Sequence, residues 1–340
     1  MDLRAAIAAL LQGHTLALGQ AETVMRAITD GEASPAQIGA LLALLHQRGE
    51  TVDEIAGFAR VLRERALRID PGTDRVLDTC GTGGDGTATI NVSTLAALVA
   101  AAAGVPVAKH GNRSVSGRVG SADLLEALGV RLDLQVPELE DCLRATGFVF
   151  LFAPQHHPAW RHVAGPRREL GVRTVFNLLG PLVNPAGATH QIVGVYDERL
   201  VEKLARVLRE LGTVRALVVH GMSGEDEISA SGPTLVAELD RGRIDVHTWK
   251  PQDVRVQPVP LEALRGGTVD DNVALARRVL DGEPGPLLEA VALNAGAALY
   301  AAGEVDAWWK GVEDARALLV SGRARAKLEA IVEATHRGRT

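Results

Sequence analysis

The stretch Asp78–Asp123, DTCGTGGDGTATINVSTLAALVAAAAGVPVAKHGNRSVSGRVGSAD, decides the fold. The run Val76–Thr79 predicts a strand, and it feeds a loop holding Gly81, Gly83, Gly84 and Gly86. Hydroxyl and amide side chains follow at Thr89, Asn91, Ser93 and Thr94, and Leu95–Ala103 then reads as a helix. Glycines let backbone N–H groups approach an anion closely, and a helix directs its first donors and its dipole at the same point. The spacing matches neither G-x-x-x-x-G-K-[ST] nor G-x-G-x-x-G, so this is a phosphate loop of another kind. After Gly104, the run Val105–Ala108 predicts a second strand, ending in Lys109, His110, Gly111, Asn112 and Arg113. Two successive strands thus deliver polar residues at their carboxyl ends, where open α/β sheets hold ligands.

Working outward, strands alternate with helices, the pattern of a largely parallel sheet. Further strands are expected at Phe148–Phe152, Ile192–Tyr196 and Ala216–His220, with helices at Ala122–Leu128, Pro137–Thr146 and Leu200–Leu211. Pro106 has no N–H to give a ladder and weakens the second strand. Leu235–Leu239 and Ile244–Trp249 flank Asp240-Arg241-Gly242-Arg243 and read as a hairpin. From Asp270 the chain is helical, with alanine-rich Leu288–Ala302 buried.

Residues 1–70 read as all helix. Ser34-Pro35-Ala36-Gln37 and Thr51-Val52-Asp53-Glu54 are capping boxes, each leading into apolar residues at helical spacing. Weaker patterns at Leu3–Leu11 and Thr23–Ile28 suggest two more helices. Their apolar stripes need cover, either from the main domain or from a second copy of the chain. Ile69-Asp70-Pro71-Gly72 reads as a linker. The expected fold class is therefore α/β: a small all-helical N-terminal domain, residues 1–70, and a large α/β domain, residues 71–340, with a mainly parallel central sheet. A middle segment near 160–190 is expected to pack with the helical domain.

Composition fits this. The 340 residues suggest about two domains at ~150 residues each. Hydrophobic residues make up 46% and charged residues 23%, the balance of an ordinary globular protein. A net charge of −6 lacks the basic footprint of a nucleic-acid binder. The longest apolar run, Leu95–Ala108, is broken by Gly104 and Pro106 and falls short of the ~20 residues of a membrane span. Two cysteines, Cys80 and Cys142, are too few for a disulfide framework, and the N-terminus lacks a secretory pattern. A cytoplasmic protein with no nucleic-acid or membrane partner is expected.

Lys109, His110, Asn112 and Arg113 crowd donors beside Gly111, which favours anion binding over a merely solvated face. His110 suits either a general base or a wall of the ligand site. Asp85 would be repelled by a bare phosphate and suits ribose hydroxyls or the loop itself. Cys80 reads as a small buried residue. Asp226-Glu227 lies beyond a strand end; paired carboxylates there suit Mg²⁺, which takes one or two carboxylates together with phosphate oxygens. His156-His157 lacks further ligands at zinc spacing and reads as structural. Arg161, Arg167, Arg168 and Arg173 form a basic stretch, one of which suits a carboxylate substrate; chemistry alone does not choose among them.

GTGGDGTATINVST at Gly81–Thr94, KHGNRSVSGRVGSAD at Lys109–Asp123, FNLLGPLVNP at Phe176–Pro185 and GEDEIS at Gly224–Ser229 resemble, in this order, the anthranilate phosphoribosyltransferases of tryptophan biosynthesis. The resemblance covers nearly the whole chain. It implies a nucleoside phosphorylase-like fold, a homodimer joined through the small domain, and transfer of the phosphoribosyl group of 5-phosphoribosyl-1-pyrophosphate to anthranilate, with pyrophosphate released. Mg²⁺ is implied, two ions per subunit, on Ser93, Asp226 and Glu227. Implied phosphoribosyl pyrophosphate contacts fall on Gly81, Gly84, Asp85, Thr89, Asn91, Val92, Ser93 and Thr94. They continue through Lys109, His110, Gly111, Asn112, Arg113, Ser114, Val115, Ser116 and Gly117 to Ser121. Implied anthranilate contacts are Gly81, Asn112 and Arg167, and Lys109, Asn112 and Arg167 carry the implied catalytic roles. One departure is Arg118-Val119, where the family often has lysine and serine. Two rival readings keep the fold: a pyrimidine nucleoside phosphorylase, disfavoured by KHGNR and GEDE, and a nucleic-acid-binding relative, disfavoured by Arg167, the paired acids and the acidic balance.

Overall fold

The computed structural model describes residues 1–84, 86–114 and 119–337. Four helices open the chain: α1 (Leu3–Leu11), α2 (Leu18–Thr29), α3 (Pro35–Arg48) and α4 (Val52–Arg65). Both capping boxes form, with Ser34 accepting from the Gln37 N–H and Thr51 from that of Glu54. Glu54 does more than cap. Fully buried, it also accepts from the Leu16 N–H at 2.9 Å and from Arg48 at 2.6 Å, tying the α1–α2 connection to α3.

The second part runs β1 (Leu77–Gly81), α5 (Val92–Ala102), β2 (Val107–Gly111), α6 (Ser121–Ala127), α7 (Val136–Thr146), β3 (Phe148–Phe152), α8 (Ala153–His156), α9 (Arg161–Leu170), α10 (Phe176–Leu179), β4 (His190–Gly194), α11 (Val201–Glu210) and β5 (Arg215–Gly221). The hairpin β6 (Thr234–Asp240) and β7 (Arg243–Trp249) follows, then α12 (Val269–Leu280), α13 (Pro286–Ala301), α14 (Trp308–Val320) and α15 (Arg323–His336). The seven strands form one sheet in the order β3-β2-β1-β4-β5-β6-β7. β3 through β5 are mutually parallel; β6 and β7 add antiparallel at one edge.

Two-residue periodicity gives each strand two apolar faces. Leu217 and Val219 join the core under α5, α13 and α14, while Ala216 and Val218 join the opposite core under α11. That second core is continuous with the helical domain, since Ile55, Phe58 and Leu62 of α4 share it with Val163, Phe176, Leu179 and Leu182. Arg63 adds a polar tie across the same junction, donating to the carbonyls of Leu182 and Leu211. Among the described residues no helix is long and apolar enough to cross a membrane.

Several boundaries differ from the sequence reading: β1 runs on to Gly81, α2 begins at Leu18 rather than Thr23, and β2, α5 and β4 shift as well. β2 begins at Val107, because Pro106 lacks an N–H and contributes only its carbonyl, to the Leu77 N–H. Lys109 and His110 therefore lie inside the strand and are buried, rather than in a loop beyond it. α5 starts at Val92, not Leu95, so Ser93 and Thr94 belong to its first turn. β4 begins at His190 and ends at Gly194, two residues earlier than expected, and the strand at Gln191–Gly194 is paired along its length with β1 and β5.

Candidate active site

β1 and β4 lie side by side where the chain turns in opposite directions from the middle of the sheet, the position at which doubly wound sheets open a crevice. Their last residues, Gly81 and Gly194, are register partners. The loop after β5 folds back over this pair. A β-carbon at Gly194 would overlap the Asp226 carbonyl oxygen, and one at Gly81 would overlap Asp226 Oδ2. Both strands end in glycine because a carboxylate-bearing loop lies directly on them.

Asp226 Oδ2 accepts from the Gly83 N–H at 2.6 Å, and Glu227 Oε1 from the Ser93 N–H at 3.4 Å, in the first turn of α5. The two acids thus span from β5 to the glycine loop and to a helix N-terminus. With Thr79, Ser93 and Asn294 they line a cleft of about 20 Å³, room for about one water-sized group. The donor set, two carboxylates and the Ser93 hydroxyl, fits Mg²⁺ completed by substrate phosphate oxygens. Among the described residues no cluster of three or more His, Cys, Asp or Glu could hold a metal alone.

Lys109 reaches the same place from β2. Its Nζ donates to the Thr79 carbonyl and lies 3.4 Å from the Thr79 and Ser93 hydroxyls. Beneath it Asp78 is wholly buried, and burial pushes its carboxyl up to about 6 against the opposing pull of Lys109 and of the Asn184 amide. Asn184 donates to Asp78 at 2.8 Å and to the Ala108 carbonyl at 2.7 Å, so the FNLLGPLVNP segment clamps β1 to β2. Burial likewise pushes the Cys80 thiol far up, which disfavours a thiolate there.

On the other face of β2, where alternation turns His110 away from Lys109, aromatic rings gather. His110 Nδ1 lies 3.0 Å from the Gly180 carbonyl, which can only accept, so Nδ1 carries the proton and Nε2 the lone pair. Burial, then His157, holds His110 well below its ordinary value; it is neutral. Ring contacts run on from His110 to His157 (5.1 Å), to Trp160 (5.4 Å) and to Phe176 (5.9 Å). At the end of the row the Arg167 guanidinium sits 5.4 Å from the Phe176 ring.

Arg167 separates itself from its neighbours by solvation. Arg161 and Arg168 are exposed, whereas Arg167 is half-buried, burial lowers its pKa, and among the described residues no carboxylate pairs with it. A partly desolvated cation beside aromatic rings, with no carboxylate of its own, has the chemistry to suit an aromatic anion. Arg173, the fourth of the group, does something the sequence did not suggest: it stacks 3.9 Å from the Tyr196 ring and donates to the Gly84 carbonyl, bracing the glycine loop.

The remaining described residues expected at the site lie on the chain after β1 and after β2 and at the starts of α5 and α6. Thr89 pairs with Arg265 in an isolated bridge, and Asn91 donates to the Val119 carbonyl. Val92 and Thr94 are buried at the start of α5, and Ser121 opens α6 behind Gly111. Asn112 is exposed and accepts from the Arg113 N–H. Arg113 turns its guanidinium to Asp123 and Glu126, and the Ser114 N–H donates to Asp123. Asp85, Val115, Ser116, Gly117 and Arg118 lie outside the described residues. His156 is structural, its Nδ1 2.7 Å from the Leu67 carbonyl.

Residues 4–66 match the helical bundle domain of the glycosyl transferase family, and residues 73–325 its a/b domain. An anthranilate phosphoribosyltransferase of Alkalilimnicola ehrlichii is 51% identical over 98% of this chain and 99% of its own length. The chain belongs to the anthranilate phosphoribosyltransferase family. A crystal structure of a family member from Thermus thermophilus superposes with a TM-score of 0.92 at 49% identity, covering 97% of this chain and 99% of that one. The Saccharomyces cerevisiae member, solved with phosphoribosyl pyrophosphate and Mg, superposes at 0.89 with 25% identity over 98% of this chain and 97% of that one. The yeast enzyme has also been solved with 4-fluoroanthranilate.

Proposed function

We propose that this chain transfers the phosphoribosyl group of 5-phosphoribosyl-1-pyrophosphate to the amine of anthranilate, giving N-(5-phosphoribosyl)anthranilate and pyrophosphate in tryptophan biosynthesis. The observation that carries this reading beyond family membership is the pair of differently equipped faces of β2. One side offers Lys109, the glycine loop and the α5 N-terminus to phosphates, with Asp226, Glu227 and Ser93 for Mg²⁺. The other offers a row of rings ending in the uncompensated Arg167 for an aromatic carboxylate.

In the reaction the amine nitrogen forms a bond to the ribose C1 while the bond from C1 to the pyrophosphate oxygen breaks, and one amine proton is released. The anthranilate amine is already neutral, so no strong base is required. Arg167 fixes the carboxylate and the ring wall fixes the plane, which turns the encounter into an oriented one. Lys109 and the loop amides stabilise the charge growing on departing pyrophosphate. Mg²⁺ bound there supplies further neutralisation of the phosphate oxygens. Asn112 beside Gly111 is assigned to both substrates.

We further read the site as holding two Mg²⁺ ions per subunit, and the chain as a cytoplasmic homodimer joined through the helical domain. The supports are the two carboxylates with a hydroxyl, the free cysteines Cys80 and Cys142, and Leu11 of α1, which is 69% exposed. A direct test follows pyrophosphate. Release is expected only when phosphoribosyl pyrophosphate, Mg²⁺ and anthranilate are all present. Phosphate-dependent cleavage of a pyrimidine nucleoside instead would overturn the assignment.

A further inference from the structure

The buried helix α13 is alanine-rich, yet its apolar run is interrupted by Asn294, only 5% exposed. Burying an amide is costly unless it is hydrogen-bonded, and this one is bonded at both ends. Oδ1 accepts from the Ile228 N–H at 3.2 Å; Nδ2 donates to the Ile228 carbonyl at 3.0 Å and to the Ala290 carbonyl of its own helix at 3.0 Å. The side chain grips both backbone groups of the residue that follows Asp226-Glu227, as a neighbouring strand would. Of the residue types of this size, only asparagine both donates and accepts in that pattern.

The loop is held from the other direction as well. Glu225 is buried and accepts from the Ser229 hydroxyl at 2.7 Å and the Ser231 hydroxyl at 3.0 Å, and its backbone carbonyl accepts from the Gly221 N–H. Asp226 and Glu227 thus hang between two anchors, Glu225 on one side and Ile228 on the other. The second anchor comes from outside the loop, and Asn294 also lines the cleft the two acids face.

We propose that Asn294 is a positioning residue for the metal: it fixes the backbone at Ile228 and thereby aims the Asp226 and Glu227 carboxylates at the cleft, without touching the ion itself. The inference rests on the assignment of those two acids to Mg²⁺. Partners that orient a ligand from behind it typically cost roughly 10- to 100-fold in metal affinity when removed.

The test is binding of Mn²⁺ to the full chain in the presence of phosphoribosyl pyrophosphate, read from the paramagnetic resonance of the free ion, so that turnover is not the readout. Asn294→Ala should weaken Mn²⁺ by roughly 10- to 100-fold, with the KM for anthranilate at saturating metal unchanged. Should that variant fail to fold, Asn294→Ser serves: its hydroxyl can back-bond to the Ala290 carbonyl but cannot reach Ile228, and the same weakening is expected. In an Asp226→Asn background the Asn294 substitution should add little, because both act through one site. Wild-type Mn²⁺ affinity in both Asn294 variants, or a full additional loss in the double variant, would overturn the proposal. Wild-type Mn²⁺ affinity in Asp226→Asn alone would show that the metal assignment itself had failed, and the positioning role with it.

Discussion

Four arginines crowd the stretch from Arg161 to Arg173, and what distinguishes them is water. Arg161, Arg168 and Arg173 are all exposed, Arg173 while stacking on the Tyr196 ring and donating to the Gly84 carbonyl; Arg167 alone of the four is half-buried, and among the described residues it gains no carboxylate in return. Solvation is a tertiary property, so the sequence pointed to the group and only the family likeness singled out Arg167. A hydrogen bond to a charged group contributes about 1.5–3 kcal/mol. Arg167→Ala should therefore raise the KM for anthranilate by roughly ten- to a hundredfold and that for phosphoribosyl pyrophosphate far less, in steady-state assays varying each substrate in turn. Comparable losses for both would remove Arg167 from the acceptor side.

His157 carries a prediction of the opposite kind, about stability. Burial holds its pKa at about 4, below the ordinary 6.5, so the folded protein keeps it neutral while the unfolded chain takes up a proton. The contribution is fully present above pH 6.5 and is lost as pH falls from there through 4, to a limit of about 3 kcal/mol. Urea unfolding across that range should show a shallower pH dependence in His157→Phe, which cannot titrate but preserves a ring between His110 and Trp160. An unchanged slope would mean that other groups set the acid limb.

At the level of elements, what was legible was what is local. The capping boxes at Ser34 and Thr51, the hairpin turn at Asp240–Arg243 and the buried character of α13 each follow from neighbouring residues, and each is present in the structure. The start of β2 was misplaced because Pro106 falls at the head of an apolar run whose register is set by partners distant in sequence. Phe148–Phe152 fixes it from one side, and Leu77, at the start of β1, from the other. The same displacement turned Lys109 and His110 from loop donors into buried strand residues, one facing the hydroxyls of Thr79 and Ser93, the other the Gly180 carbonyl. Asn184 was invisible for a similar reason: its two acceptors, Asp78 and Ala108, are on different strands far away in the chain. Asn184→Leu should cost roughly 2–4 kcal/mol, one lost bond to a buried carboxylate and one to a buried carbonyl. Equilibrium denaturation reads this directly, and a change under about 0.5 kcal/mol, the scale of an ordinary surface substitution, would refute the clamp.

Across the whole molecule, one sheet with both faces covered supplies a rigid edge, and the loops beyond that edge supply the chemistry. The helical domain shares a core with the α9–α10 segment and α11, so the ring wall and Arg167 are supported from the N-terminal helices while the phosphate loop is supported from α5 and α13. The proposed reaction thus draws its two substrates from two differently anchored parts of the protein, an arrangement suited to bringing two reactants together in a fixed orientation. Mixing the protein with phosphoribosyl pyrophosphate, Mg²⁺ and anthranilate, and following anthranilate fluorescence, tests this account most directly. A decay abolished by chelator is the predicted result; steady fluorescence with folded protein and sound substrates would contradict it.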